Sequence, residues 1–171
     1  MIPTNEADRP GAAPLRRLAE AMPKAELHLH LDGSLRVETA LAIARSRALD
    51  APTTYASMFR ALVGPPRMAS QAELLTRFEL PIALLQDAQA LEQAAAELVE
   101  SKAADQVRYV EIRWGPALHL ERGLDLADGI AAVCRGSQAA ARRTGITVRL
   151  ICTALRSHDP AAAVHGERSQ S

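Results

Sequence analysis

Apolar positions recur along this chain with two periods, and the changes of period mark its elements. Ala25-Glu26-Leu27-His28-Leu29-His30 alternates apolar and polar residues, the period of a half-covered strand. Asp32-Gly33-Ser34 follows with turn chemistry, and Ser34 is placed to cap a helix over 37–49, where Val37, Leu41 and Ala44 share a face. Another helix is predicted around 55–63, between Pro52 and Gly64-Pro65-Pro66. Residues 71–80 gather Leu74, Leu75 and Phe78 on one side, with Pro81 placed to kink or interrupt them. A long helix is predicted over 88–104, with Leu91, Ala95, Leu98 and Val99 as its apolar stripe. Residues 107–114 form the clearest strand, with Val107, Tyr109, Glu111 and Arg113 on one face and Arg108, Val110, Ile112 and Trp114 on the other. Gly115-Pro116 ends it. A helix over 124–143, in spite of Gly129 and Gly136, closes at Thr144-Gly145. The near-continuous β-branched run of 146–153 then suits a sheet covered on both faces.

Strand, helices, strand, helix, strand is α/β order, and helical crossovers of this length impose parallel pairing. A complete (β/α)₈ barrel takes about 250 residues, so 171 residues are expected to hold only its first three strands. The 20 basic residues balance the 20 acidic ones and aromatics are 3% of the chain, which gives no basis for nucleic-acid binding. No stretch approaches the roughly 18 apolar residues of a membrane span, and no signal peptide is visible before Pro23. Cys134 and Cys152 are too few for a disulfide framework. They read as small buried hydrophobes in a reducing cytoplasm.

The candidate chemistry is His28 and His30. Two residues apart on a strand, both side chains leave one face, with Cβ atoms about 7 Å apart. Imidazoles at that spacing can converge on one metal ion, and the carboxyl end of a barrel strand is where such chemistry sits. An isolated His-x-His is more often a solvated or core pair, because two ligands do not make a zinc site.

The surrounding run changes that reading. Pro23-Lys24-Ala25-Glu26-Leu27-His28-Leu29-His30-Leu31-Asp32-Gly33-Ser34-Leu35 closely resembles the opening signature of the adenosine deaminase family, in the amidohydrolase superfamily. Residues 107–116 resemble that family's second barrel strand and 150–158 its third, while Leu74, Leu75 and Phe78 resemble the helix gating its purine pocket. The resemblance implies a truncated (β/α)₈ barrel and a Zn²⁺ cofactor, with His28 and His30 as metal ligands. It implies that His30 and Asp32 contact the ribose of a purine nucleoside. The implied reaction is adenosine plus water to inosine plus ammonia, by attack of zinc-bound hydroxide at purine C6. Asp32 favours a nucleoside, since the family's free-base enzymes tend to carry glutamate there. A related 6-aminopurine or adenine deaminase and a non-catalytic fragment are the alternatives.

On this reading residues 1–22 are a flexible leader with a short helix, 23–160 the N-terminal part of the barrel, and 161–171 an irregular tail. The abrupt loss of pattern there reads as a premature stop or a change of reading frame. The family's third zinc histidine, proton-donating glutamate and orienting histidine belong to later strands, so the chain carries no catalytic acid and is expected to be inactive alone. His165 and Glu167 are spaced two apart instead of three and read as coincidence. His119 and His158 read as loop residues. Glu111 and Arg113 share one strand face, either lining the barrel mouth or forming an inward ion pair. Two open sheet edges and an uncovered inner face predict marginal stability.

Overall fold

The computed structural model describes residues 12–64 and 70–154. Helix α1 (Ala12–Ala21) leads into β1 (Lys24–His30), a 3₁₀ turn (Asp32–Ser34) and α2 (Val37–Ser46). Then come α3 (Tyr55–Leu62), α4 (Gln71–Thr76), α5 (Glu79–Leu84) and α6 (Ala88–Ala104). β2 (Val107–Trp114), a second 3₁₀ turn (Pro116–His119), α7 (Leu126–Thr144) and β3 (Thr147–Cys152) complete the described chain. The three strands form one parallel sheet in the order β1-β2-β3, as the helical crossovers require. Among the described residues no helix is long and apolar enough to cross a membrane.

Helices cover one face of the sheet. The predicted stripe Leu91, Ala95, Leu98 and Val99 is buried on α6, together with Val110, Ile112 and Trp114 of β2 and Ala132, Val133 and Ala140 of α7. The opposite face carries Tyr109, Glu111 and Arg113, half-buried, beside exposed Arg149. β3 is thus not covered on both faces among the described residues: Thr147 and Arg149 are exposed, and Val148 and Leu150 are half-buried. Its β-branched run marks a strand whose second face carries Arg149, a residue that dry packing would not tolerate unpaired.

Local chemistry decides where the helices begin. Thr54 and Ser57 form a reciprocal capping box at α3. Ser34 does not cap α2, whose N-cap is Arg36 without a side-chain bond. The Ser34 hydroxyl instead donates to the carbonyl of His30 at 2.6 Å. The segment 71–80 breaks at Arg77–Phe78, before Pro81, which falls in the first turn of α5, where a missing N–H costs nothing. Cys152 is exposed and Cys134 half-buried, so the expected burial does not hold for the former. It sits at the last position of the outermost described strand.

Asp87 ties two helices together. Its carboxylate caps α6 by accepting from Ala90 N–H at 2.9 Å and accepts two bonds from the Arg47 guanidinium, one at 2.9 Å. Burial pushes this carboxyl up, but Arg47 and the N–H groups of Ala90 and Gln89 outweigh it and hold it below its ordinary value. Asp87→Ala is expected to cost about 2 kcal/mol, the loss of a cap and a paired guanidinium together. The urea midpoint at neutral pH measures it, and an unchanged midpoint would show the cap to be redundant.

Candidate metal centre

β1 does not pair with β2 in an uninterrupted ladder. Glu26 pairs with Val110 and Leu29 with Ile112, so β1 carries one more residue than β2 across that interval. Leu27 and His28 are consecutively exposed where regular alternation would hide one of them. Such a bulge re-aims side chains and is enriched beside active sites. β2 compensates earlier, with an extra residue between Val107 and Tyr109, which leaves Val107 buried and Arg108 exposed. The face expected to hold Val107 with Tyr109, Glu111 and Arg113 therefore begins at Tyr109.

His28 and His30 converge. Their rings lie 5.3 Å apart between centroids and their Nε2 atoms 3.3 Å apart. Two nitrogens held about 2.0–2.1 Å from one tetrahedral zinc stand about 3.3–3.4 Å apart, so the pair has the spacing of two ligands of one ion. The same distance suits a single N–H···N bond between neutral rings. Both side chains are exposed. Among the described residues no group of three or more His, Cys, Asp or Glu could hold a metal.

The next turn builds a wall beside them. Asp32 is buried, and its Oδ1 accepts from Gly33 N–H at 2.9 Å. Phe78 and His30 pack edge-to-face, 5.8 Å between ring centroids. Phe78 also lies over Gly33, where a Cβ would stand 3.0 Å from its ring, so any side chain there would push the ring aside. Asp32, Gly33, Leu62, Leu74, Arg77 and Phe78 help line a cavity of about 290 Å³. Arg77 donates to the carbonyl of Arg60 at 2.7 Å. The Tyr109 hydroxyl donates to Glu111 at 2.8 Å, and the inward Glu111–Arg113 ion pair does not form among the described residues. Arg113 stands opposite His30 in the ladder, with a buried Nε that has no partner among the described residues.

The family model for adenosine deaminase matches residues 23–168. The chain belongs to the adenosine deaminase family. It is 42% identical over 138 residues to an adenosine deaminase of Clostridium perfringens, covering 80% of this chain and 42% of that one. A zinc-bound amidohydrolase of Burkholderia ambifaria superposes with a TM-score of 0.79 at 30% identity, over 96% of this chain and 44% of that one. An adenine deaminase of Arthrobacter aurescens gives 0.74 at 26% identity, over 85% and 43%. The chain spans less than half the length of these relatives, and its three parallel strands match the N-terminal part of amidohydrolase barrels.

In this adenosine deaminase-family chain, sequence reading missed the groups that support the site. His119, expected in a loop, is buried in the second 3₁₀ turn against Trp114, with ring centroids 5.6 Å apart. Its Nδ1–H donates to the Leu85 carbonyl at 2.7 Å, and its Nε2 has no partner among the described residues. Gln86, also buried, donates to Ile82 and Leu118 and accepts from Glu121 N–H. Together they bind the end of α5 to the turn after β2. Nothing in the local pattern marks either residue, because their partners are 34 and 32 positions away. His158, His165 and Glu167 lie outside the described residues.

Burial pushes the His119 imidazole below its ordinary value, and the Leu85 carbonyl and the Asp32 charge oppose it only in part. Between that lowered value and the unfolded value of about 6.5, the unfolded chain binds more protons. The contribution of His119 to stability is therefore complete above about pH 6.5 and is lost as pH falls through the folded value. The drop in urea midpoint from about pH 7.5 to about pH 5.5 is expected to shrink in His119→Gln. Equal drops in both proteins would remove His119 as the cause.

Proposed function

We propose that this chain is the N-terminal part of an adenosine deaminase-type zinc hydrolase that converts adenosine and water to inosine and ammonia in purine salvage. The observation that carries the reading is the 3.3 Å approach of His28 Nε2 and His30 Nε2 at the carboxyl end of β1. Zinc, when bound, makes water acidic enough to serve as a nucleophile at neutral pH. His28 and His30 would hold it through neutral Nε2 lone pairs. Asp32, with a carboxylate at the wall of the adjoining cavity, would accept from a ribose hydroxyl, with His30 beside it. Phe78 and Leu74 would cover the base and exclude water. The unpaired cysteines suit a cytoplasmic setting. Adenine is the second reading, on the likeness to the Arthrobacter adenine deaminase.

The chain itself is expected to bind zinc through two ligands and not to turn over, since the described residues hold no group of three or more His, Cys, Asp or Glu able to bind a metal. Ammonia release from adenosine and from adenine, with added zinc, tests this beside His28→Ala. Zinc binding lost in His28→Ala, without turnover, supports the reading. Turnover of adenosine lost in that variant would support the reaction and overturn the expected inactivity. Preference for adenine would favour the second reading, and zinc binding indifferent to His28 would overturn both.

A further inference from the structure

Lys24 begins β1, four residues before His28, and its ammonium has no freedom left. Nζ donates to the carbonyls of Glu20, Met22 and Asp105 at 3.0, 3.1 and 3.1 Å. An ammonium has three protons and no acceptor, so these bonds exhaust it. Glu20 O belongs to the last turn of α1, Met22 O to the connection into β1, and Asp105 O to the C-cap of α6. Two of the three acceptors are thus carbonyls at helix C-termini, where unsatisfied oxygens and the negative end of the dipole favour a cation. The backbone of Lys24 is fastened as well, its N–H donating to Gln106 O at 2.9 Å. Gln106 adopts a φ of 64°, a conformation rare for a residue with a side chain.

This fastening matters because the ladder above it is irregular. Two register shifts of opposite sense separate Lys24 from His30. They cancel: Lys24 faces Val107 and His30 faces Arg113, six residues further on along each strand. A slip by one residue would turn the strand's side chains to the other face, and a bulged strand with one neighbour among the described residues has weak means of resisting it. At the far end the Ser34 hydroxyl holds His30 O.

We propose that Lys24 is a positioning residue for the His28–His30 pair: by joining the ends of α1 and α6 to the start of β1, it sets the register that brings the two Nε2 atoms together. The inference rests on the zinc reading for its purpose, and on the hydrogen bonds and the ladder for its mechanism.

The test uses the whole chain and two readouts. In the metal-free protein, NMR records the cross-relaxation between the ring protons of His28 and His30; calorimetry records zinc affinity. Lys24→Met is expected to weaken the cross-peak and to lower zinc affinity about tenfold, the scale of lost ligand support, at unchanged helical circular dichroism. Lys24→Arg, which keeps a cation able to bond carbonyls, is expected to recover affinity to within about threefold. A Lys24→Met protein that melts lower yet keeps the cross-peak and wild-type affinity would reduce Lys24 to a structural clamp and overturn the proposal. Should Lys24→Met fail to fold, Lys24→Gln takes its place, and wild-type values there overturn the proposal equally. A cross-peak lost in the variant while the wild type binds no zinc would uphold the positioning role and refute the zinc reading.

Discussion

His30→Ala is expected to lower zinc affinity at least about 100-fold, and to disturb the adjoining cavity as well. A chelating pair loses most of its affinity with either member, because one imidazole alone no longer holds the ion in place. His28→Ala should match it in zinc affinity. The two variants should part at the cavity: Phe78 packs against His30, and among the described residues no ring contact joins Phe78 to His28. Removing His30 frees Phe78 to move over Gly33 and Asp32, so binding of a purine nucleoside should weaken further in His30→Ala than in His28→Ala. Zinc titration by calorimetry, then nucleoside titration at fixed zinc, measures both effects. Wild-type zinc affinity in His30→Ala would remove the pair from the metal centre.

Gly136→Ala is expected to destabilise the chain by roughly 4 kcal/mol, the scale of severe overpacking against backbone. A Cβ built on Gly136 falls 2.1 Å from the carbonyl oxygen of Glu92 and 2.9 Å from its carbonyl carbon. Neither is the movable end of a side chain, so α7 must retreat from α6. That separation opens the core at Leu91, Ala95, Val99, Val133 and Ala140. The gain in helix propensity on replacing glycine, about 1 kcal/mol, is too small to offset it. Gly129→Ala is the control. Its Cβ would meet the tip of the Leu124 side chain at 3.3 Å, which can yield, so stability should change by less than about 1 kcal/mol. Urea unfolding decides: a midpoint for Gly136→Ala equal to the wild type would mean that the helices are not so close.

The same two glycines show how far the pattern reaches. In the sequence both are blemishes in an otherwise helical stretch, tolerated at a cost, and nothing separates them. Packed, one is a contact between two backbones and the other faces a leucine. β1 repeats the lesson on the sheet. Its alternation correctly places His28 and His30 on a strand, but not the bulge, because an extra residue is defined only against the partner strand. The rings come together across that bulge, at a spacing that strand rise alone does not specify. Cys152 and β3 err in the opposite direction. Their apolar composition predicts cover that the described residues do not supply.

By itself the sequence determined the order of the strands, their parallel pairing and the histidine pair, since period and crossover length are local properties that the chain carries wherever it folds. It determined the family too, through the run of thirteen residues around that pair together with the two later strands. Only the tertiary structure decided what holds the pair in place. Lys24 meets the end of α6, Gln86 and His119 join α5 to the turn after β2, and Phe78 leans on His30. Each of these contacts joins segments that the chain's local pattern leaves unrelated, and a hydrogen bond or ring contact exists only once packing has fixed both partners.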